Sequence, residues 1–323
     1  KHGYETVEKL LAKHDGSVTF LSAPTGCHKS GQGILMSDGR IESVENIRVG
    51  DFLMGDDGHP RKVLSLIDGY GEFVKVVPIK GNTFSVNLDH VLTLAKTNER
   101  IIGDKKHRPR MNGGQLIDIS VRDYLQWKES KRHLHKLTRS SAIEFHHTHE
   151  VYLPIDPYFL GVLLGDGSIT AQVCITTADK EIYEEIVKQS TRYDLHIREG
   201  KQIGNKAITY YLANKRGGDH KNKNILFETL KNLGLIGTNS STKYIPDRYK
   251  TTSIENRLFL LAGLIDTDGS LASGYYDYIS KSVLLANDVA FIARSLGFFA
   301  NVQPCVKKSQ NGTSGVYYRV GIS

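Results

Sequence analysis

One internal repeat limits this chain more than any other feature. Phe159-Leu160-Gly161-Val162-Leu163-Leu164-Gly165-Asp166-Gly167-Ser168 recurs as Leu261-Ala262-Gly263-Leu264-Ile265-Asp266-Thr267-Asp268-Gly269-Ser270. Each copy reads as an apolar, glycine-containing helix that ends in an Asp followed at once by Gly, a residue that can terminate a helix. The small residues at Gly161 and at Ala262-Gly263 would let two helix backbones approach closely. Both copies are followed by a strand-like segment, a helix (about 180–189 and 283–295) and further strands ending at 208–212 and 316–322. A repeat of this kind resets the fold assignment. It predicts two α/β half-domains related by a local dyad.

Packing the two repeat helices together would bring Asp166 and Asp268 side by side at one end of their interface. Adjacent carboxylates repel unless a cation lies between them. Such a pair suits Mg²⁺, which binds through a few carboxylates plus water and phosphate oxygens, and a metal so held can activate water in phosphodiester hydrolysis. A single Asp-Gly step is more often a plain helix-ending turn. Two steps 102 residues apart, with matched structure downstream, point to a shared site.

The charge pattern names a partner. The chain of 323 residues carries a formal charge of +7, and residues 100–140 alone hold 11 Lys/Arg against 4 Asp/Glu. Residues 201–224 add Lys201, Lys206, Lys215, Arg216, Lys221 and Lys223 against Asp219 alone. Basic blocks suit a phosphate backbone, because each neutralised phosphate releases counterions. Arg108, Arg110, Lys131, Arg132, Lys215 and Arg216 are therefore candidate DNA contacts, with a solvated loop face as the plainer alternative. No apolar run reaches the length of a membrane span, and the first residues lack a secretory pattern, so no membrane partner and an intracellular location are expected. Three scattered cysteines, Cys27, Cys174 and Cys305, make neither a disulfide framework nor a four-ligand metal site. If one of them matters, it acts as a thiol.

The first third has a different texture. Tyr4, Val7, Leu10 and Leu11 share one helical face and predict a helix, and 18–21 reads as a short strand. Ser22-Ala23-Pro24-Thr25-Gly26 then interrupts any single-domain reading. From 33 to about 94 the chain is strand-rich with frequent turn signals, as expected of a compact all-β unit. Residues 97–150 are basic and polar, with one helical piece at about 121–128 that contains Trp127.

Two resemblances join these observations. The repeat resembles the paired LAGLIDADG motifs of monomeric homing endonucleases: the second copy reads "LAGLIDTDG" and the first is the looser "LGVLLGDGS". The resemblance implies that Asp166 and Asp268 bind a catalytic metal, Mg²⁺, and that basic residues act near the scissile phosphates. Lys243, just before Ile245-Pro246 in Lys243-Tyr244-Ile245-Pro246, fits one such place and Lys307 the other, with Lys281 or Lys308 as alternatives for the second. The strands after each acidic helix would form a saddle in the DNA major groove.

The block from Cys27 resembles the N-terminal part of the Hint fold, shared by inteins and hedgehog autoprocessing domains. It does so through Gly33-Ile34-Leu35-Met36-Ser37-Asp38-Gly39, then Ile47-Arg48-Val49-Gly50-Asp51, then Val86-Asn87-Leu88-Asp89-His90. The resemblance implies that the Cys27 thiol attacks the preceding carbonyl to form a thioester, and that His90 protonates the departing amide nitrogen. Asn87 stands where the family usually has Thr, and can still hydrogen-bond the scissile peptide.

The expectation is thus an intein of several domains: an all-β Hint segment, then an α/β LAGLIDADG endonuclease of two pseudo-twofold αββαββα halves. Its parts are a host remnant at 1–26, a Hint segment at 27–96, a basic insertion or linking segment at 97–152, and an endonuclease at 153–323 with halves at about 153–250 and 251–323. The partners implied are a long double-stranded DNA target and the host polypeptide in cis, with the chain a monomer. Ala23-Pro24-Thr25-Gly26 looks like the first half of a Walker phosphate loop, so the host would be a helicase-like ATPase. The C-terminal Hint segment with its His-Asn ending is not found, so this chain is expected not to complete splicing alone. The competing readings are a DNA-binding protein with a degenerate nuclease, and a hedgehog-like autoprocessing domain without DNA cleavage.

Overall fold

The computed structural model describes residues 6–10, 18–21, 27–78, 82–97, 115–146, 152–200, 207–215, 224–272, 274–308 and 314–323. The chain forms two compact units, Lys1–Ser140 and Ser141–Ser323. Among the described residues no helix is long and apolar enough to cross a membrane.

The first unit is built from short strands: β1 (Thr6–Leu10), β2 (Val18–Leu21), β3 (Gly33–Leu35), β4 (Ile41–Ser43), β5 (Phe52–Met54), β6 (Pro60–Lys62), β7 (Leu66–Gly69), β8 (Phe73–Val77), β9 (Phe84–Asn87), β10 (Val91–Lys96), β11 (Leu116–Ser120) and β12 (His135–Leu137). Two one-turn helices, α1 (Val121–Leu125) and α2 (Glu129–His133), lie between β11 and β12. The sheets run β1-β8-β9 and β11-β10-β12, with β2-β7, β3-β4 and β5-β6 as two-stranded pairs. Alternation fixes the register: β8 buries Val74 and Val76, and β10 buries Leu92 and Leu94. These four pack with Val86, Val121 and Tyr124 into one small core, and Met36, Ile47 and Val63 form a second.

Two expectations are corrected in this unit. Residues 6–10 are a strand, not a helix, and pair antiparallel with β8 from Thr6↔Val77 to Leu10↔Phe73. Four apolar positions at helical spacing are a weak signal, and cross-strand pairing overrides it. Part of the polar segment after residue 97 is also sheet. β11 and β12 flank β10, with Thr93 donating to Asp118 at 2.7 Å.

The second unit realises the repeat. Its first half is α3 (Pro157–Leu164), β13 (Gly167–Ser168), β14 (Cys174–Thr177), α4 (Lys180–Arg192), β15 (Leu195–Glu199), β16 (Ile208–Asn214) and α5 (Ile225–Asn232). A short α6 (Asp247–Lys250) leads into the second half: α7 (Ile254–Asp268), β17 (Gly269–Ala272), β18 (Tyr275–Ser280), α8 (Val283–Ser295), β19 (Ala300–Lys308) and β20 (Ser314–Ile322). The two sheets have matching orders, β13-β14-β16-β15 and β17-β18-β20-β19. Local chemistry starts the helices. Asp156 accepts from the Phe159 amide with Pro157 at the first helical position, and Ser253 accepts from Asn256 and Ser282 from Leu285. One continuous core runs through both halves and includes Phe159, Leu160, Leu163, Leu260, Leu264 and Val289.

Glycine sets how close α3 and α7 come. A Cβ on Gly161 would lie 2.5 Å from the Leu260 carbonyl oxygen, and one on Gly263 would lie 2.2 Å from that of Tyr158. The helices meet backbone to backbone, and at their exposed rim the Tyr158 hydroxyl donates to Asp266 at 2.8 Å.

The expected helix endings are corrected as well. α3 stops at Leu164 with Gly165 as its cap, so Asp166 lies just beyond the helix, whereas α7 runs through Asp268. Gly269, with φ −90° and ψ 161°, is extended rather than left-handed. What requires glycine after each Asp is contact with the preceding turn. A Cβ on Gly167 would lie 2.3 Å from the Leu163 carbonyl oxygen, and one on Gly269 would lie 2.5 Å from that of Ile265.

Candidate functional sites

In the first unit β9 carries the site. His28 bridges to Val86, which draws Cys27 alongside the end of the strand. The Cys27 amide donates to Asn87 Oδ1 at 3.1 Å, and the Asn87 amide donates back to the Cys27 carbonyl at 3.2 Å. Asn87 therefore grips Cys27 through both its main chain and its side chain. Its carbonyl also accepts from the His90 amide at 3.3 Å, which closes the turn between β9 and β10. Cys27, Asn87 and His90 are thus brought together by one strand and one turn.

The electrostatics of this cluster favour neutral forms. Cys27 is only 2% exposed. Burial, and then the charge of Asp89, push its thiol up to about 11. Burial, and then the neighbouring His28, push His90 down to about 4, and burial also lowers His28. At neutral pH the cluster therefore holds a protonated thiol and uncharged imidazoles. His28 carried no signal in the sequence. Its ring meets that of His90 edge-on, with centroids 5.0 Å apart.

In the second unit the α3–α7 pair delivers the acidic residues. Asp166 and Asp268 lie within electrostatic reach of each other. Loss of solvent, and then the charge of Asp268, raise Asp166 to about 6. Loss of solvent raises Asp268 too, against the pull of Lys243 and Lys307. Lys307 lies exposed on β19, in register with Gly315.

Lys243 occupies a different environment from that of a surface lysine. It is 6% exposed, and its ammonium lies 3.3, 2.8, 3.0 and 2.7 Å from the carbonyl oxygens of Leu163, Leu164, Gly165 and Gly167. Three N–H donors face four acceptors at the negative end of α3. Burial lowers Lys243 to about 8, while Asp268 and Asp166 hold it up. The side chain thus fixes the turn that carries Asp166. Tyr278, fully buried on β18, had no sequence signal either. Burial, and then both aspartates, raise its hydroxyl well above the usual range. Among the described residues that hydroxyl finds no partner at hydrogen-bonding geometry, although Ser280 lies near enough to lower it somewhat.

Of the candidate DNA contacts, Lys131 and Arg132 lie in the first unit and Lys215 in the second. Lys131 lies on α2 with its ammonium 3.9 Å from the centre of the Trp127 ring. Arg132 is its half-buried neighbour on the same helix. Lys215 pairs with Asp194 at the surface. Arg108, Arg110 and Arg216 lie outside the described residues, as does the Ala23-Pro24-Thr25-Gly26 segment. Among the described residues no group of three or more His, Cys, Asp or Glu side chains is arranged to hold a metal, so any cation at Asp166 and Asp268 would depend on further oxygen ligands from water or phosphate.

Comparison with known proteins finds family models for two segments of the chain. Residues 27–152 match the family model for Hom_end-associated Hint, and residues 255–323 match that for the LAGLIDADG-like domain. These matches place a β-rich Hint region at 27–152 and a LAGLIDADG-like α/β segment at 255–323. Among curated proteins it is 22% identical to the catalytic subunit of the V-type proton ATPase of Candida tropicalis, over 97% of this chain and 38% of that protein. It is 29% identical to replicative DNA helicase DnaB of Mycobacterium intracellulare, over 52% of this chain and 24% of that protein. The chain thus spans well under half the length of these relatives. Among solved structures, I-DmoI in complex with DNA and Mn aligns at 14% identity and a TM-score of 0.35, covering 52% of this chain and 88% of that one. I-WcaI bound to its DNA recognition sequence aligns at 17% identity and a TM-score of 0.30, covering 53% and 77%.

Proposed function

We propose that the chain is an intein that combines autoprocessing at Cys27 with divalent-metal-dependent, site-specific cleavage of double-stranded DNA. The observation that carries the nuclease reading is the acid pair at the shared end of two glycine-packed helices. Asp166 and Asp268 would hold the metal, Mg²⁺ by preference. Two carboxylates that each resist ionisation are a donor set that a hard cation relieves. When bound, the metal would supply a polarised water and charge neutralisation at the phosphate. Lys243 positions Asp166 by tying down the end of α3. Lys307, on an exposed strand, is suited to a phosphate contact. The two four-stranded sheets offer the ribbons that a major groove accepts.

At Cys27 the reaction is an isomerisation. The sulfur bonds to the carbonyl carbon of residue 26, the C–N bond to Cys27 breaks, and the thiol proton ends on the freed amine. Burial keeps the thiol protonated, so its proton passes to the uncharged His90 imidazole only as the C–S bond forms. Once protonated, His90 is the acid that the departing nitrogen requires. Asn87 holds the Cys27 amide while this occurs.

The host would be a helicase-like ATPase interrupted in its Walker loop after Gly26, a position compatible with the ATPase and helicase relatives. The target would then be the uninterrupted allele, centred on codons for Thr-Gly-Ser-Gly. Domain limits at 27–96, 97–152 and 153–323 accompany this reading. The test is incubation of the chain with Mg²⁺ and a plasmid carrying the rejoined site, with Asp268→Ala as control. One discrete double-strand cut that disappears in the control supports the nuclease. Tight binding without cleavage at any metal concentration rejects it in favour of a degenerate nuclease.

A further inference from the structure

His28 directly follows the nucleophile, and its side chain turns inward. The His28 and His90 rings meet in a T-shaped contact with centroids 5.0 Å apart. The Nδ1 atoms of both are buried and meet no hydrogen-bond partner among the described residues. Buried polar atoms are ordinarily satisfied, so two orphans on adjacent rings beside a buried thiol call for a role. The His28↔Val86 bridge and the Asn87–His90 turn place the two residues at the same end of β9.

We infer that His28 is a positioning residue for His90, its ring set edge-on against the His90 imidazole so that His90 meets Cys27 in one orientation. The inference rests on the acyl-shift reading of Cys27 and deepens it. Two imidazolium ions cannot share a buried contact of this size, so a proton on either ring opposes a proton on the other. Among the described residues, Asp89 adjoins His90 in the chain, raises the Cys27 thiol and is tied to Arg122 of α1 at 2.8 Å. When His90 takes the thiol proton, the adjacent His28 makes that proton more acidic and favours its transfer to the departing Cys27 nitrogen. No atom enters or leaves the system beyond the proton that moves from sulfur to nitrogen.

The test uses the whole chain, with the peptide bond before Cys27 intact. Hydroxylamine-induced release of residues 1–26 is followed by mass spectrometry from about pH 5 to about pH 9. Replacing His28 with Phe keeps a ring in the space. We expect His28→Phe to slow release by about 10²-fold and to move the acid limb of the rate profile to higher pH, with the Trp127 unfolding midpoint unchanged. Should His28→Phe fail to fold, His28→Ala decides: partial rescue by added imidazole supports the role, and absence of rescue overturns it. Release from His28→Phe at the wild-type rate and with the wild-type profile overturns the His28 role alone. No release from the folded wild-type chain at any pH overturns the acyl-shift reading, and the His28 role with it.

Discussion

Asn87 shows how much one side chain can organise. Its carboxamide oxygen takes the Cys27 N–H, its own amide donates back to the Cys27 carbonyl, and its carbonyl holds the turn that presents His90. Truncation to Ala removes the side-chain bond and leaves the backbone bonds in place. A single hydrogen bond of about 1.4 kcal/mol corresponds to a tenfold rate effect. Asn87→Ala should therefore slow hydroxylamine-induced release of residues 1–26 by roughly tenfold, and Asn87→Thr, which keeps an acceptor oxygen, should lose less. Equal rates for all three proteins would show that the bond is not used. Cys27, Asn87 and His90 were legible in the sequence because they sit in an ordered series of recognisable segments. His28 was not, because a histidine beside a cysteine has no pattern of its own. Lys243 could be located by its motif, but nothing local foretold its burial: the four carbonyls around it come from a segment some 80 residues earlier.

Elements follow the same logic of local against distant information. α3, α7 and α8 were readable because apolar periodicity, caps and the repeat all agreed. β1 was misread because its pairing with β8 spans more than 60 residues. β11 and β12 were hidden by the basic, polar stretch around them, because their place in the sheet depends on pairing with β10, which lies some 20–40 residues earlier. Small residues at the α3–α7 contact were legible as permission for close approach, and the geometry turns that permission into a requirement. At Gly161 and Gly263 an added methyl would meet backbone atoms of the facing helix, which cannot rotate away. Gly161→Ala or Gly263→Ala should destabilise the second unit by about 1–3 kcal/mol and separate the two acidic residues. The prediction is read from the urea midpoint of the helical circular dichroism signal together with the rate of DNA cleavage. An unchanged midpoint in both variants would mean that the helices already stand further apart in solution.

Across the whole molecule, the two units contain opposite kinds of buried charge problem, and the acid stability of the first can be observed by itself. The chain has one tryptophan, Trp127, and it lies in that unit, so its fluorescence reports the unfolding of residues 1–140 alone. His90 titrates at an ordinary 6.5 when unfolded and is held down to about 4 when folded. Above 6.5 both states are neutral and the unit has its full stability. As pH falls from there towards about 4, the unfolded chain gains a proton that the folded chain refuses, so stability is progressively lost. The carboxylates whose folded values are lowered, Glu45 and Asp57, start from 4.5 and 3.8 and contribute little above pH 5. The histidine effect therefore stands apart from general acid unfolding. Between about pH 7 and about pH 5 the first unit should lose about 2 kcal/mol, read as a fall in the urea midpoint of Trp127 fluorescence. His90→Phe should remove most of that dependence and leave only what His28 contributes. A midpoint that is flat over this range in the wild-type chain would mean that the imidazole pair is open to solvent, and would remove the physical basis for an uncharged His90 beside Cys27.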